Sequence, residues 1–273
     1  MKHLFYFVVA LFISNPSFAW DQKPPLPIDQ CAVHAPYGIP TVNKPDATVI
    51  CRSGYVTMHD NQAKIPVWAS YAIDAQTALG CIPRTNAFVA DNSLPLGKKA
   101  SPTDYAGTGY DQGHLVPDGD QSYNQIVEWE SFLMSNMSPQ LPNLNRGVWK
   151  QLESNVRAWA VQRNHQLIVI PGDIYDIPTA KKIGKSNVVV PSALFKIVID
   201  TQTNEALAFI YEHKESQPTD ISLGQVSIAE VEKRTGITFH VPKGVDKNAK
   251  PKIWTADLGA LGKSKKAKCG KDD

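Results

Sequence analysis

The chain has 273 residues, 42% of them apolar, and a formal net charge of +2. A charge this small excludes a polyelectrolyte that holds its partner by global attraction, and the apolar content excludes a disordered chain. The length is sufficient for one large domain with a substantial core, and no internal repeat divides it.

The N-terminus, "MKHLFYFVVALFISNPSFA", has Lys2 and His3, then the apolar run Leu4–Ile13, then Ser17-Phe18-Ala19. This order of charged, apolar and small residues predicts an export signal over 1–19, cut after Ala19. The apolar run is too short for a membrane span, so no membrane anchor is expected in the mature chain. Residues 20–273 then form a single domain, exported to the periplasm or beyond. The proline-rich stretch 20–48 reads as an extended arm.

"YVTMHD" and "IPVWASYAI" predict two strands with "NQAK" as the turn between them. Residues 79–120 form a long irregular segment, of a kind usually kept for function. It contains Arg84 and ends in "YDQGHLVPDGD", where Asp, Gly and Pro crowd around His114 and predict a turn-rich loop. Further on, Val148, Leu152, Val156 and Trp159 recur at helical spacing and predict an amphipathic helix over about 145–164. "QLIVIPGDIY", "SALFKIVID" and "EALAFIYEH" predict three strands of one sheet. In "SIAEVEKRTG", Ser227 and Glu230 make a capping box and Gly236 a left-handed stop, so a short helix is expected. The absence of a steady β-α-β rhythm argues for an α+β fold with a mostly antiparallel sheet flanked by helices.

Cys31, Cys51, Cys81 and Cys269 are even in number, which in an exported chain predicts two disulfides. Three pairings are open. The spacing holds no C-x-x-C pair of the kind zinc sites use. The tail 262–273 is lysine-rich and could bind an anionic partner or simply be solvated; a paired Cys269 would tie it to the body.

His114, the amides of Asn136 and Asn145, the carboxylate of Glu153 and the guanidinium groups of Arg84 and Arg157 suit phosphodiester chemistry. A neutral imidazole takes a proton from water near neutral pH. A hard cation accepts oxygen ligands and keeps its waters, and arginine forks bind phosphate oxygens. Asn145 and Glu153 would be about 12 Å apart along one regular helix. Asn145 is therefore expected at or before the first turn as a direct ligand, with Glu153 reaching the ion through water. Glu153 and Arg157, four residues apart, would also make an ordinary helix ion pair.

D-x-G-H-L-x-P at 111–117, "SNMSPQ" at 135–140 and N-x3-W-x3-E at 145–153 together resemble the DNA/RNA non-specific endonucleases, which are ββα-metal nucleases. The resemblance runs from about Trp68 through Gly236. It implies His114 as general base and Asn145 as the one direct protein ligand of a Mg²⁺ (or Mn²⁺) ion. Glu153 would orient a metal-bound water, and Arg84 and Arg157 would clamp the scissile phosphate. Asn136 would position His114 or a metal water, and Asp111 would brace the loop through nearby backbone. The implied reaction is hydrolysis of internal bonds of DNA and RNA, leaving a 5′-phosphate. The motif usually reads D-R-G-H, whereas Gln112 stands here in the arginine's place, so one cationic contact is missing; Lys98 or Lys99 could compensate. Two rivals follow: a nucleic-acid-binding protein on a weakened nuclease fold, and a phosphodiesterase for another substrate.

Overall fold

The computed structural model describes residues 22–270. The expected export signal over 1–19 lies outside them. In chain order, strands β1 (Ala47–Cys51), β2 (Val56–Asp60) and β3 (Ile65–Ile73) lead into helix α1 (Ala75–Ala78). Then come β4 (Asp111–His114), α2 (Asp118–Gln121), α3 (Gln125–Glu130), β5 (Met137–Gln140) and α4 (Lys150–Arg163). The chain ends with β6 (Leu167–Ile174), β7 (Lys182–Ile183), β8 (Val188–Val189), β9 (Ala193–Asp200), β10 (Ala206–Glu212), β11 (Gln225–Val226), α5 (Ile228–Thr235) and α6 (Leu258–Cys269).

Seven strands form one sheet in the order β1-β2-β3-β6-β9-β10-β11, each pair antiparallel. Both β6 and β9 are buried along their whole length, because both faces of the sheet are covered. On one face Tyr71, Val169, Val198 and Phe209 meet the α4 stripe Leu152, Val156 and Trp159. On the other, Trp68, Phe195 and Ile197 pack with Ile228 and Val231 of α5. The arrangement is α+β, as the order of apolar runs predicts. The strand and α5 predictions hold, and Ser227, Glu230 and Gly236 cap α5 as expected.

Three expectations change, and the tail takes the tied-down form that a paired Cys269 implies. The segment over 110–120 is no simple loop: Asp111–His114 is a strand paired with β5 in the register His114↔Met137. A Cβ on Gly113 would sit 2.2 Å from the Gln140 side chain, so only glycine permits this approach. The proline-rich arm includes a 3-10 helix, Ile28–His34, whose Cys31 is buried and bridged to Cys51. The lysine-rich tail is helical, as α6, and Cys269 is bridged to Cys81. Finally, Leu144–Trp149 is a wide π-type turn that breaks at Gly147, so α4 proper begins at Lys150 and Asn145 precedes it.

Candidate active site

A cleft of about 740 Å³ opens between the end of β4, the π-type turn, α4 and α6. Six of the residues singled out from sequence line it: Arg84, Gln112, His114, Asn145, Glu153 and Arg157. Arg146 and Lys150 line it too and were not anticipated, as does Lys265 of the lysine-rich tail, which gives five cationic side chains against Asp118 and Glu153. That imbalance suits an anionic substrate.

His114 ends β4, and its ring rests edge-on against Phe132 (4.9 Å) and Phe88 (5.6 Å). Burial pulls the imidazole down to about 4, opposed by Asp118 and reinforced by Arg84. The ring is therefore neutral at ordinary pH, and its Nε2 is shut away without a hydrogen-bond partner. The backbone around it is fixed: Trp149 Nε1 donates to the His114 carbonyl (3.3 Å). Asn136 is fully buried. Its Oδ1 accepts from Val116 N (3.0 Å), and its Nδ2 donates to the carbonyls of Val116 (2.9 Å) and Ser131 (2.8 Å). Asn136 thus braces the chain two residues past His114 and does not line the cleft.

Asp111 also departs from expectation. Its partners are side chains, not backbone: Asn145 Nδ2 (2.9 Å), Arg146 Nε (2.8 Å) and Arg146 Nη2 (2.7 Å). Burial raises the carboxyl, but these donors outweigh it and hold Asp111 below the usual carboxylate range. The hydrogen bond also sets the Asn145 amide, because a nitrogen turned to Asp111 turns the Oδ1 away from it. Gln112 Nε2 donates to the Pro102 carbonyl (3.3 Å).

Each expected phosphate clamp already carries an aspartate. Arg157 pairs with Asp120 at 2.7 Å, and Asp120 also accepts from Tyr71 Oη at 2.7 Å. Arg84 pairs with Asp118 and lies 4.8 Å over the Phe132 ring. A Cβ on Gly119 would press within 3.0 Å of Arg157 Nη1, so glycine lets the loop close over that guanidinium. Among the ion pairs found, Glu153 faces Lys196 of β9 at 3.7 Å and not Arg157. Burial lifts Glu153 to about 7, while Lys196 pulls it back. Lys196 is fully buried, 4.1 Å over the Trp149 ring, and burial lowers its ammonium.

The two lysines expected to compensate for Gln112 fall outside the cleft. Lys98 pairs with Asp46 and Lys99 with Asn92, so neither replaces the missing arginine. Tyr105 is buried against Met137 and its neighbours, and neither it nor Tyr110 lines the cleft. Asp118 and Asp120 hold arginines. His34, His59, His165 and His213 make structural hydrogen bonds, and Trp129 and Trp149 are buried.

Residues 34–247 match the family model described as DNA/RNA non-specific endonuclease. The chain belongs to that family. A nuclease of Nostoc sp. is 28% identical over 212 residues, covering 73% of this chain and 76% of that one. A nuclease of Serratia marcescens is 27% identical over 220 residues, covering 77% and 79% respectively. Among solved structures, that of the EndoG/EndoGI complex superposes with a TM-score of 0.70 at 25% identity, covering 77% of this chain and 91% of that one. The fold is thus the ββα-metal nuclease fold, and the cleft of this family member lies where β4, the π-type turn, α4 and α6 converge.

Proposed function

We propose that the protein is a metal-dependent endonuclease that hydrolyses internal phosphodiester bonds of DNA and RNA, with His114 as general base. The observation that carries this reading is a buried, neutral histidine in the same cationic cleft as Asn145 and Glu153. Nε2 is enclosed without a partner, so Nδ1 is the ring nitrogen that would receive the proton. The His114 imidazole takes the proton of the attacking water as the new O–P bond forms. Arg84 and Arg157 bind phosphate oxygens, and their aspartates keep both guanidinium forks oriented before substrate arrives. The cations of the cleft suit contacts to the phosphate backbone, which carry no sequence information, so sequence preference is low.

The donor set fits Mg²⁺, or Mn²⁺ in its place. Among the described residues no three His, Cys, Asp or Glu side chains converge as metal ligands. The available oxygens are the Asn145 amide, turned away from Asp111, and the Glu153 carboxylate. Asn145 would hold the ion directly and Glu153 through water, which suits a cation that keeps most of its hydration shell. When bound, the ion would offset the charge that builds on the phosphate and the departing oxygen.

Two disulfides support the reading of an exported enzyme that works in an oxidising compartment. Among the described residues no helix is long and apolar enough to cross a membrane. The test is incubation of closed circular DNA, and separately of a long RNA, with Mg²⁺ and with EDTA. Cleavage of both without free ends, leaving 5′-phosphates and stopping with EDTA, is expected. Gel retardation without cleavage would instead support a binding protein with a weakened site at Gln112.

A further inference from the structure

Strand β9 turns its residues alternately to the two faces of the sheet. Leu194 and Val198 point into the layer under α4, and Lys196 stands between them on the same face, where a third apolar side chain is expected. The side chain is fully buried, and its ammonium has no hydrogen-bond acceptor among the described residues. Three N–H donors without acceptors in an apolar layer are destabilising, and an apolar chain of similar length would fill the same space at lower cost. Packing therefore does not explain the residue.

Its surroundings do. The ammonium lies 4.1 Å over the Trp149 ring and 3.7 Å from Glu153 Oε1, within ion-pair range but longer than a hydrogen bond. Arg157, one turn further along α4, is taken by Asp120 (2.7 Å) and Ser154 Oγ (3.1 Å). It does not serve Glu153, whose ion pair is with Lys196. Trp149 in turn holds the His114 carbonyl through Nε1, so one indole ring ties Lys196 to the strand that carries the base. Glu153 lines the cleft, and Lys196 does not. The lysine stands behind the carboxylate, out of reach of a substrate phosphate.

We propose that Lys196 is a positioning residue for the reaction: its buried ammonium holds one oxygen of Glu153 from beneath, so that the carboxylate presents its other oxygen to the cleft in a single orientation. The inference rests on the nuclease reading and names the residue that prepares Glu153 for its part in it. A carboxylate fixed before substrate arrives has less freedom to lose in the transition state.

The experiment compares the full chain with Lys196→Met, Glu153→Gln and the double variant, on long duplex DNA with Mg²⁺, and records the thermal midpoint of each protein without metal. Lys196→Met keeps an unbranched side chain and removes the charge. It should lower kcat about 10–100-fold and change KM by less than about twofold. In the Glu153→Gln chain the same substitution should change kcat by less than about twofold, because both act through one carboxylate. The midpoints give a readout that needs no activity. Glu153→Gln leaves the ammonium without its counter-charge, so adding Lys196→Met to it should raise the midpoint, whereas loss of a residue kept for packing would lower it. That comparison also decides the matter if Lys196→Met alone does not fold. A folded Lys196→Met protein with wild-type kcat, an equal loss of kcat in both backgrounds, or a lowered midpoint in the double variant overturns this inference alone. A wild-type protein that neither cleaves nor binds nucleic acid overturns the nuclease reading, and this inference with it.

Discussion

At residue 112 an uncharged amide stands where the related motif carries arginine, and it donates to the Pro102 carbonyl at the edge of the cleft. The missing charge is worth on the order of 2–3 kcal/mol if an arginine there would bind the transition state. The cleft is nonetheless cationic, because Arg146 and Lys150 add charge beside Asn145. Two residues on, His114 is kept neutral by its surroundings. Phe88 and Phe132 crowd its ring, and desolvation outweighs the nearby Asp118. Its folded pKa lies below the value for an unfolded chain. The histidine is therefore available as a base at all pH values above about 4 and is lost as pH falls through that value. The same shift means that folding stability declines as pH drops from about 6.5 toward 4, where the unfolded chain takes the proton first. A ring-carbon NMR titration of His114 in the metal-free protein should show a midpoint near 4. A midpoint at or above 6.5 would contradict the buried-base account.

The element that carries His114 was the least legible in the sequence. Residues 111–114 read Asp-Gln-Gly-His, with no β-branched or aromatic residue, and their partner β5 contains Pro139. Tertiary fit, not propensity, makes them strands. Gly113 lies against Gln140, whose amide atoms are buried without partners. Gly113→Ala should therefore cost about 1–3 kcal/mol in urea unfolding, through overpacking. Gln140→Ala in the same chain should recover much of that loss, a coupling that additive costs would disprove. Strands β2, β3, β6, β9 and β10 were legible because long apolar runs mark them, and α5 because its caps are written in the chain. Helix α6 was hidden by its lysines and glycines, since it is held from outside. In the site, His114, Asn145, Glu153, Arg84 and Arg157 could be found from motif spacing. Lys196 left one usable signal, a single lysine inside the apolar strand "ALFKIVID". Arg146 and Lys150 had none, because their place depends on the break at Gly147.

Across the whole molecule, a nearly neutral chain concentrates positive charge in one place. The net charge is +2, yet five cations face two carboxylates in the cleft, so attraction for a polyanion is local. The antiparallel sheet supplies the rigid body, with α4 packed on one face and carrying Glu153 and Arg157. The small hairpin-like pair β4–β5 sets His114 beside them. The Cys81–Cys269 bridge spans 188 residues and ties the last helix to the loop that bears Arg84. All these elements converge on one chemical claim, that His114 takes the proton of the attacking water. The measurement that tests it most directly is the initial rate of circular DNA cleavage in Mg²⁺ by wild type and by His114→Ala, with the thermal midpoint of both recorded. Loss of about 10²–10⁴-fold in rate, with the fold intact and nucleic acid still bound, is the predicted result. A folded His114→Ala protein that cleaves at close to the wild-type rate would contradict it.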